Sequence, residues 1–175
     1  MSNLLRKFTK RQDAVASVEF AIVAPVMVAL FIGMVELGDA MIAKRKITSM
    51  TSTVADLVAR AKSISDSDIT NVFSAATAIV SPFPSANIQM RVTSISIALD
   101  GTKTIAWSDG YHMSPLQQGD PAALPPGVGV NGGSVIKLET NYAHSTYFAR
   151  FLPASFTFTE EFFAQPRKIL KISRL

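Results

Sequence analysis

Asp109, His112 and Ser114 lie within six residues of one another, and an acid, an imidazole and a hydroxyl are the parts of a hydrolytic relay. Their spacing works against that chemistry. All three fall in one loop, with no nucleophile elbow to hold the serine on a strand-to-helix turn. His112 and His144 stand 32 residues apart, cysteine is absent, and no neighbouring acid sits at metal-ligand spacing. Gly127, Gly129, Gly132 and Gly133 match neither the phosphate-loop nor the dinucleotide spacing, and no Lys-Ser/Thr pair follows them. Glu160 and Glu161 are adjacent in a strand pattern, so they point to opposite faces and do not make a carboxylate pair. The expectation is a protein that is not an enzyme and uses no cofactor and no metal.

Glu19 is the acid in an unusual setting. It lies at the start of "VASVEFAIVAPVMVALFIGMV", in which Phe20 to Val35 run for 16 residues without a charge. Together with Ala14 to Glu19 the helical stretch covers 22 residues, about 33 Å at 1.5 Å per residue, enough to span a hydrocarbon core. Glu19 enters about 7.5 Å into that helix. One reading has its carboxylate reaching toward headgroups at little cost. The other has it neutralised by a partner, since an unpartnered charge deeper in the bilayer costs about 2.5–3.5 kcal/mol. Pro25 removes one helix hydrogen bond, either incidentally or to let the helix bend when subunits pack.

Arg6, Lys7, Lys10 and Arg11 precede the span and predict a cytoplasmic N-terminus, although Lys44, Arg45 and Lys46 follow it closely. Gly38-Asp39-Ala40 has the small residues of a signal-peptidase site, but the apolar run exceeds a usual signal core and the helical pattern continues beyond it. The net charge of +4 is concentrated in the two termini. Between Glu36 and Pro166 there are 9 basic and 11 acidic residues, so the domain lacks the basic face of a nucleic-acid binder.

About 140 residues follow the apolar run, enough for one domain whose stability rests on packing without disulfides. Leu37, Met41, Ile47, Met50, Val54, Leu57, Ala61 and Ile64 recur at three- and four-residue steps, predicting that the helix continues beyond the membrane. This stripe either packs on the chain's own domain or contacts other subunits. Ser65-Asp66-Ser67-Asp68 caps a second helix with Ile69, Val72, Phe73, Ala76, Ile79 and Val80 on one side, ending at Pro82. Ile88, Met90 and Val92 alternate in one phase and Ile95, Ile97 and Leu99 in the other, predicting a bulge near Thr93-Ser94. Asp100-Gly101 marks a hairpin turn into a strand near Thr104 to Trp107. Residues 109–134 hold four of the nine prolines and six of the nine glycines, predicting a long loop, either a binding element or a tolerated insertion. Strands near Ser134 to His144 and Phe156 to Ala164 complete the pattern. The closing "RKILKISRL" reads as a solvated tail or as a lipid- or partner-contacting one.

The leader and "AVASVEFAIVAPVMVALFIGMVELGDAM" resemble the TadE/TadG-like proteins of the tight-adherence (Tad/Flp) pilus system. The shared features are four small or apolar residues (Val15 to Val18), Glu19-Phe20, Pro25 and Glu36-Leu37-Gly38. "VADLVARAKSIS", "VTSISIALDGTKTIAWSDG", "SVIKLETNYAHS" and "FFAQPRKI" extend the resemblance along nearly the whole chain. It implies a pilin-like protein whose leader is cut by a prepilin peptidase between Ala14 and Val15. Glu19 would then pair with the new amine as the subunit enters a filament. The family usually has Gly where this chain has Ala14, and an uncut chain would remain a signal-anchored membrane protein.

The resulting expectation is an α+β, pilin-like fold: a transmembrane helix continuing into a long helix, a second short helix, then an antiparallel sheet of about four strands. The divisions are 1–13 cytoplasmic leader, 14–35 transmembrane helix, 36–64 periplasmic helix extension and 65–175 periplasmic domain. The function implied by the resemblance is that of a minor pilin or pseudopilin of Tad pilus assembly. It would be a single-pass protein of the bacterial inner membrane that initiates, caps or anchors the pilus. Its partners would be other pilin-like subunits, the inner-membrane assembly platform, the prepilin peptidase and membrane lipid. The alternative is a membrane-anchored periplasmic binding module outside any filament.

Overall fold

The structure, a computed structural model, describes residues 12–146 and 155–175. The chain divides into two compact units, residues 1–39 and 40–175. Helix α1 (Gln12–Ala59) contributes to both.

In the first unit almost every residue from Val15 to Val35 is exposed, including Phe20, Ile22, Leu30 and Phe31. A helix apolar on all sides suits a lipid surround. It is long and apolar enough to cross a membrane.

In the second unit α1 is one-sided. Ala43, Ile47, Met50, Val54 and Val58 are buried in the main core. The expected stripe is corrected in part, because Leu37, Met41 and Leu57 are exposed. The buried positions drift to 43, 47, 50, 54 and 58, the path a 3.6-residue period takes across a flat sheet. The helix also ends earlier than expected, at Ala59 rather than Ile64. Its last turn tightens, with Arg60 N donating to Leu57 O (3.3 Å) and Ala61 N to Val58 O (3.0 Å), and Arg167 N donates to the freed Ala59 carbonyl at 3.0 Å. Strand β1 (Ser63–Ile64) then pairs in parallel with β6 (Ser173–Arg174).

Helix α2 (Asp66–Val80) begins with a complete capping box. Ser65 N donates to Asp68 Oδ2 at 2.9 Å, and Asp68 N donates to Ser65 Oγ at 3.3 Å. Side-chain and backbone hydrogen bonds from Ser65 hold the Asp68 carboxyl below its ordinary value. Ile69, Val72, Phe73, Ala76 and Val80 are buried and Ile79 packs at the margin of the same core.

Strands β2 (Ile88–Ile97), β3 (Lys103–Tyr111), β4 (Ser134–Ser145) and β5 (Ser155–Ala164) form one antiparallel sheet in the order β3-β2-β4-β5. Its helix-covered face carries Ile88, Met90, Val92, Trp107, Ile136, Leu138 and Tyr142. Strand β3 is longer than the expected Thr104 to Trp107, and the connection after it runs over 112–133 rather than 109–134.

The β2–β3 register does shift between Ser94 and Ile95, beside the bulge expected near Thr93-Ser94, but β2 itself carries no extra residue. Pairing of β2 with β4 runs unbroken from Ile88↔Tyr142 to Ser96↔Ser134. The extra residue lies in β3, where Ser94 opposes Trp107 and Ile95 opposes Ile105, so Ala106 is the insertion. Because β2 alternates without interruption, Ile95 and Ile97 face away from the helices, where they form a second small core with Leu124 and Val135. The long connection supplies that cover. Gly119 N donates to Ile105 O (2.9 Å), Ile105 N to Asp120 O (2.9 Å) and Ala122 N to Lys103 O (3.0 Å). These bonds also shield the outer edge of β3. Gly129 sits at φ +89°, and a Cβ there would lie 2.4 Å from Ile97 Cδ1, so a side chain at this crossing would be strained and would have to displace Ile97.

The C-terminal segment is not a solvated tail. Ile172 is buried in the main core and Trp107 Nε1 donates to its carbonyl at 2.8 Å. Arg174 forms ion pairs with Asp109 (2.9 Å) and Asp66 (2.5 Å), tying the end of the chain to β3 and to the first turn of α2. Hydrogen bonds to Asp109 and Asp66 outweigh the cost of burial and hold the Arg174 guanidinium firmly protonated.

Candidate functional site

The residues singled out for hydrolysis do not converge. Asp109 is engaged by Arg174, with Nε donating to Oδ2 at 2.9 Å and Nη2 to Oδ1 at 3.1 Å. His112 follows β3 at φ 53°, with Nδ1 3.1 Å from the Ile88 carbonyl and its ring against Tyr111. Ser114 presents its carbonyl, not its hydroxyl, to Arg91 Nη1 at 3.2 Å. His144 is buried among the rings of Phe83, Tyr142 and Phe158. Among the described residues no group of three or more His, Asp or Glu side chains is placed to hold a metal ion.

The face of the sheet turned from the helices carries an ion-pair ladder. Arg91 reaches Glu139 at 2.7 Å, and Lys137 reaches Glu139 at 2.9 Å and Glu161 at 3.0 Å. Each charge has an opposite neighbour across the strands, which is the arrangement of a stabilised sheet surface rather than of a reactive pair. Glu160 sits opposite Thr140, in the alternate register from Glu161 opposite Glu139.

The residues expected from the resemblance to act in assembly lie instead on the exposed part of α1. Val15, Glu19, Phe20 and Pro25 are all exposed and all within the helix. Val15 and Glu19 are four residues apart and so share one helix face, about one turn from each other. Ala14 lies in the helix one residue before Val15. Pro25 leaves the Ala21 carbonyl without its usual helical donor. Arg6, Lys7, Lys10 and Arg11 lie outside the described residues.

Residues 14–56 match the family described as TadE-like protein. That segment is TadE-like. The match covers the apolar part of α1 and most of the part packed on the sheet, so the likeness to proteins of the Tad pilus system lies in a helix long and apolar enough to cross a membrane. No curated protein and no solved structure matches the chain. What sequence reading missed in this chain was Arg174. Its type and position offered no clue that Asp66 and Asp109, 108 and 65 residues upstream, would meet it.

Proposed function

We propose that this TadE-like protein is a minor pilin or pseudopilin-like component of Tad pilus assembly, held in the inner membrane with its α+β domain on the periplasmic side. It acts by helix packing and protein contacts, without chemistry of its own. The observation that carries this reading is the coincidence of the matched segment with a helix exposed and apolar from Val15 to Val35. Its partners are other pilin-like subunits and the inner-membrane assembly platform. A prepilin peptidase cuts between Ala14 and Val15, and Glu19 then answers the new amine. A carboxylate and an amine in a lipid surround attract each other strongly, which favours lateral docking of one helix beside another.

Glu19→Ala tests this. Pili should be lost while the protein keeps its membrane level and the domain stays folded. Normal piliation would turn the reading toward a membrane-anchored binding module outside the filament. Mass spectrometry of the mature protein tests the processing step separately, and an intact Met1 terminus would remove it.

A further inference from the structure

We propose that the corner formed by Leu99, Val130 and Leu170 docks a protein partner presenting an apolar patch rimmed by carboxylates. The proposal rests on the pilus-assembly reading above and adds a second contact surface, remote in sequence from the membrane helix. Three segments meet there: the β2–β3 turn, the end of the long connection and the C-terminal segment. Asn131 Nδ2 donates to the Leu99 carbonyl at 3.2 Å, and Ser134 Oγ to the Leu170 carbonyl at 3.1 Å. A Cβ on Gly132 would lie 3.1 Å from Leu99 Cδ2, and one on Gly133 would lie 3.1 Å from Val130 Cγ2 and 3.8 Å from the Leu170 carbonyl. The Leu99 and Val130 side chains and the Leu170 backbone are therefore gathered at one corner pinned by hydrogen bonds. Leu99, Val130 and Leu170 are also 83%, 56% and 69% exposed. A single exposed leucine is ordinary, but three exposed aliphatic residues carried by segments that meet at one fixed corner are the pattern of a contact surface.

The charges nearby decide the kind of partner. Lys168 and Lys171 flank Leu170, both are exposed, and neither has a carboxylate partner among the described residues. Acidic groups opposite them would complete the contact. Two copies meeting corner to corner would instead bring these lysines together. A lipid surface also suits leucines flanked by lysines, but Asp100 stands beside Leu99. Backbone and side-chain hydrogen bonds from Thr102 hold its carboxyl below the ordinary range, so it stays ionised where lipid insertion would need it neutral. A protein can meet that carboxylate with a hydrogen-bond donor.

The test uses the full chain in cells that build the pilus. Leu99→Asp/Leu170→Asp should lower pilus number about tenfold or more with membrane level and thermal midpoint unchanged. A benzophenone side chain at position 99 should give a discrete protein adduct that requires the other pilus proteins and falls about tenfold with Lys168→Glu/Lys171→Glu. If the double aspartate variant unfolds, Leu99→Ser/Leu170→Ser takes its place. Normal pili with an adduct indifferent to charge reversal would overturn the proposal. So would co-flotation of nanodisc-held full chain with phosphatidylglycerol vesicles that is lost on Leu99→Asp/Leu170→Asp, since the corner would then be a lipid surface. Pili lost on Glu19→Ala but retained in every corner variant would defeat the corner alone. Pili retained on Glu19→Ala would defeat the assembly reading first.

Discussion

Within α1, residues 15–35 and residues 43–58 are both rich in aliphatic side chains, yet only the second stretch has buried ones. The first stretch is apolar on every side and exposed on nearly every side. The second alternates Ile47, Met50, Val54 and Val58 with Thr48, Ser49, Ser52 and Thr53, so that one face packs and the other is hydroxylated. Even there the exposed hydroxyls turn back on the helix: Thr48 Oγ1 donates to Lys44 O, and Ser52 and Thr53 donate to Ser49 O. A uniformly apolar stretch is matched to a uniform solvent, lipid, whereas a two-faced one is matched to a sheet on one side and water on the other.

The largest effect that would separate the two stretches is on folding. Met50→Ala or Ile47→Ala should lower the domain's stability by about 2–5 kcal/mol, read from denaturant midpoints in detergent, because both side chains are fully buried. Phe31→Ala should leave the same midpoint in place. A comparable loss from Phe31→Ala would break the contrast, for it would show the apolar stretch contributing to the domain's core.

Next comes insertion. Leu30→Arg places a charge near the middle of the apolar run and should oppose membrane integration by about 2.5–3.5 kcal/mol. The measurement is the fraction of full chain resisting alkaline extraction from membranes. The same substitution at the exposed Thr48 should leave that fraction unchanged.

A smaller effect tests the second core. Gly129→Ala should cost about 1–3 kcal/mol, because the new methyl meets Ile97 and Val135 and the backbone sits at φ +89°. Gly127→Ala, also at positive φ but with open space around it, should cost less. Equal losses at the two glycines would mean that the connection does not bear on Ile97.

How much of this was legible beforehand follows from the range of the interactions. The apolar span, the capping run Ser65 to Asp68 and the Asp100-Gly101 turn depend on residues within one or two turns, and each was readable from residue type and spacing. The two-phase pattern of β2 was also visible, but its cause was not. Covering a second face requires Leu124 and Val135 to return to Ile95 and Ile97, and no local period records such a return. The C-terminal segment misled for the same reason, since "RKILKISRL" looks like a basic tail until Asp66 and Asp109 are placed beside Arg174. Glu19 stood out by charge alone, while the assembly role proposed for it came from resemblance to the TadE-like family.

The smallest effect concerns pH and should appear in the domain only. Burial works to raise the Glu139 pKa, but hydrogen bonds from Lys137 and Arg91 outweigh it, leaving the carboxyl below its ordinary 4.5. A carboxyl depressed on folding contributes stability that is fully present above 4.5 and is lost as pH falls through the lower folded value. For Lys137, burial works to lower the pKa, but hydrogen bonds to Glu139 and Glu161 outweigh it and leave the ammonium above its ordinary 10.5. That contribution is present below 10.5 and is lost as pH rises beyond it. The network therefore predicts a plateau between about pH 5 and pH 10, with a decline on either side. Glu139→Gln should lower the plateau by about 1 kcal/mol, since the group is only partly shielded from solvent, and should flatten the decline below pH 4.5. Thermal midpoints across the pH range would check this. An acid limb as steep in Glu139→Gln as in the parent would assign acid sensitivity to other carboxylates, with the Arg174 pairs to Asp66 and Asp109 next to be tested.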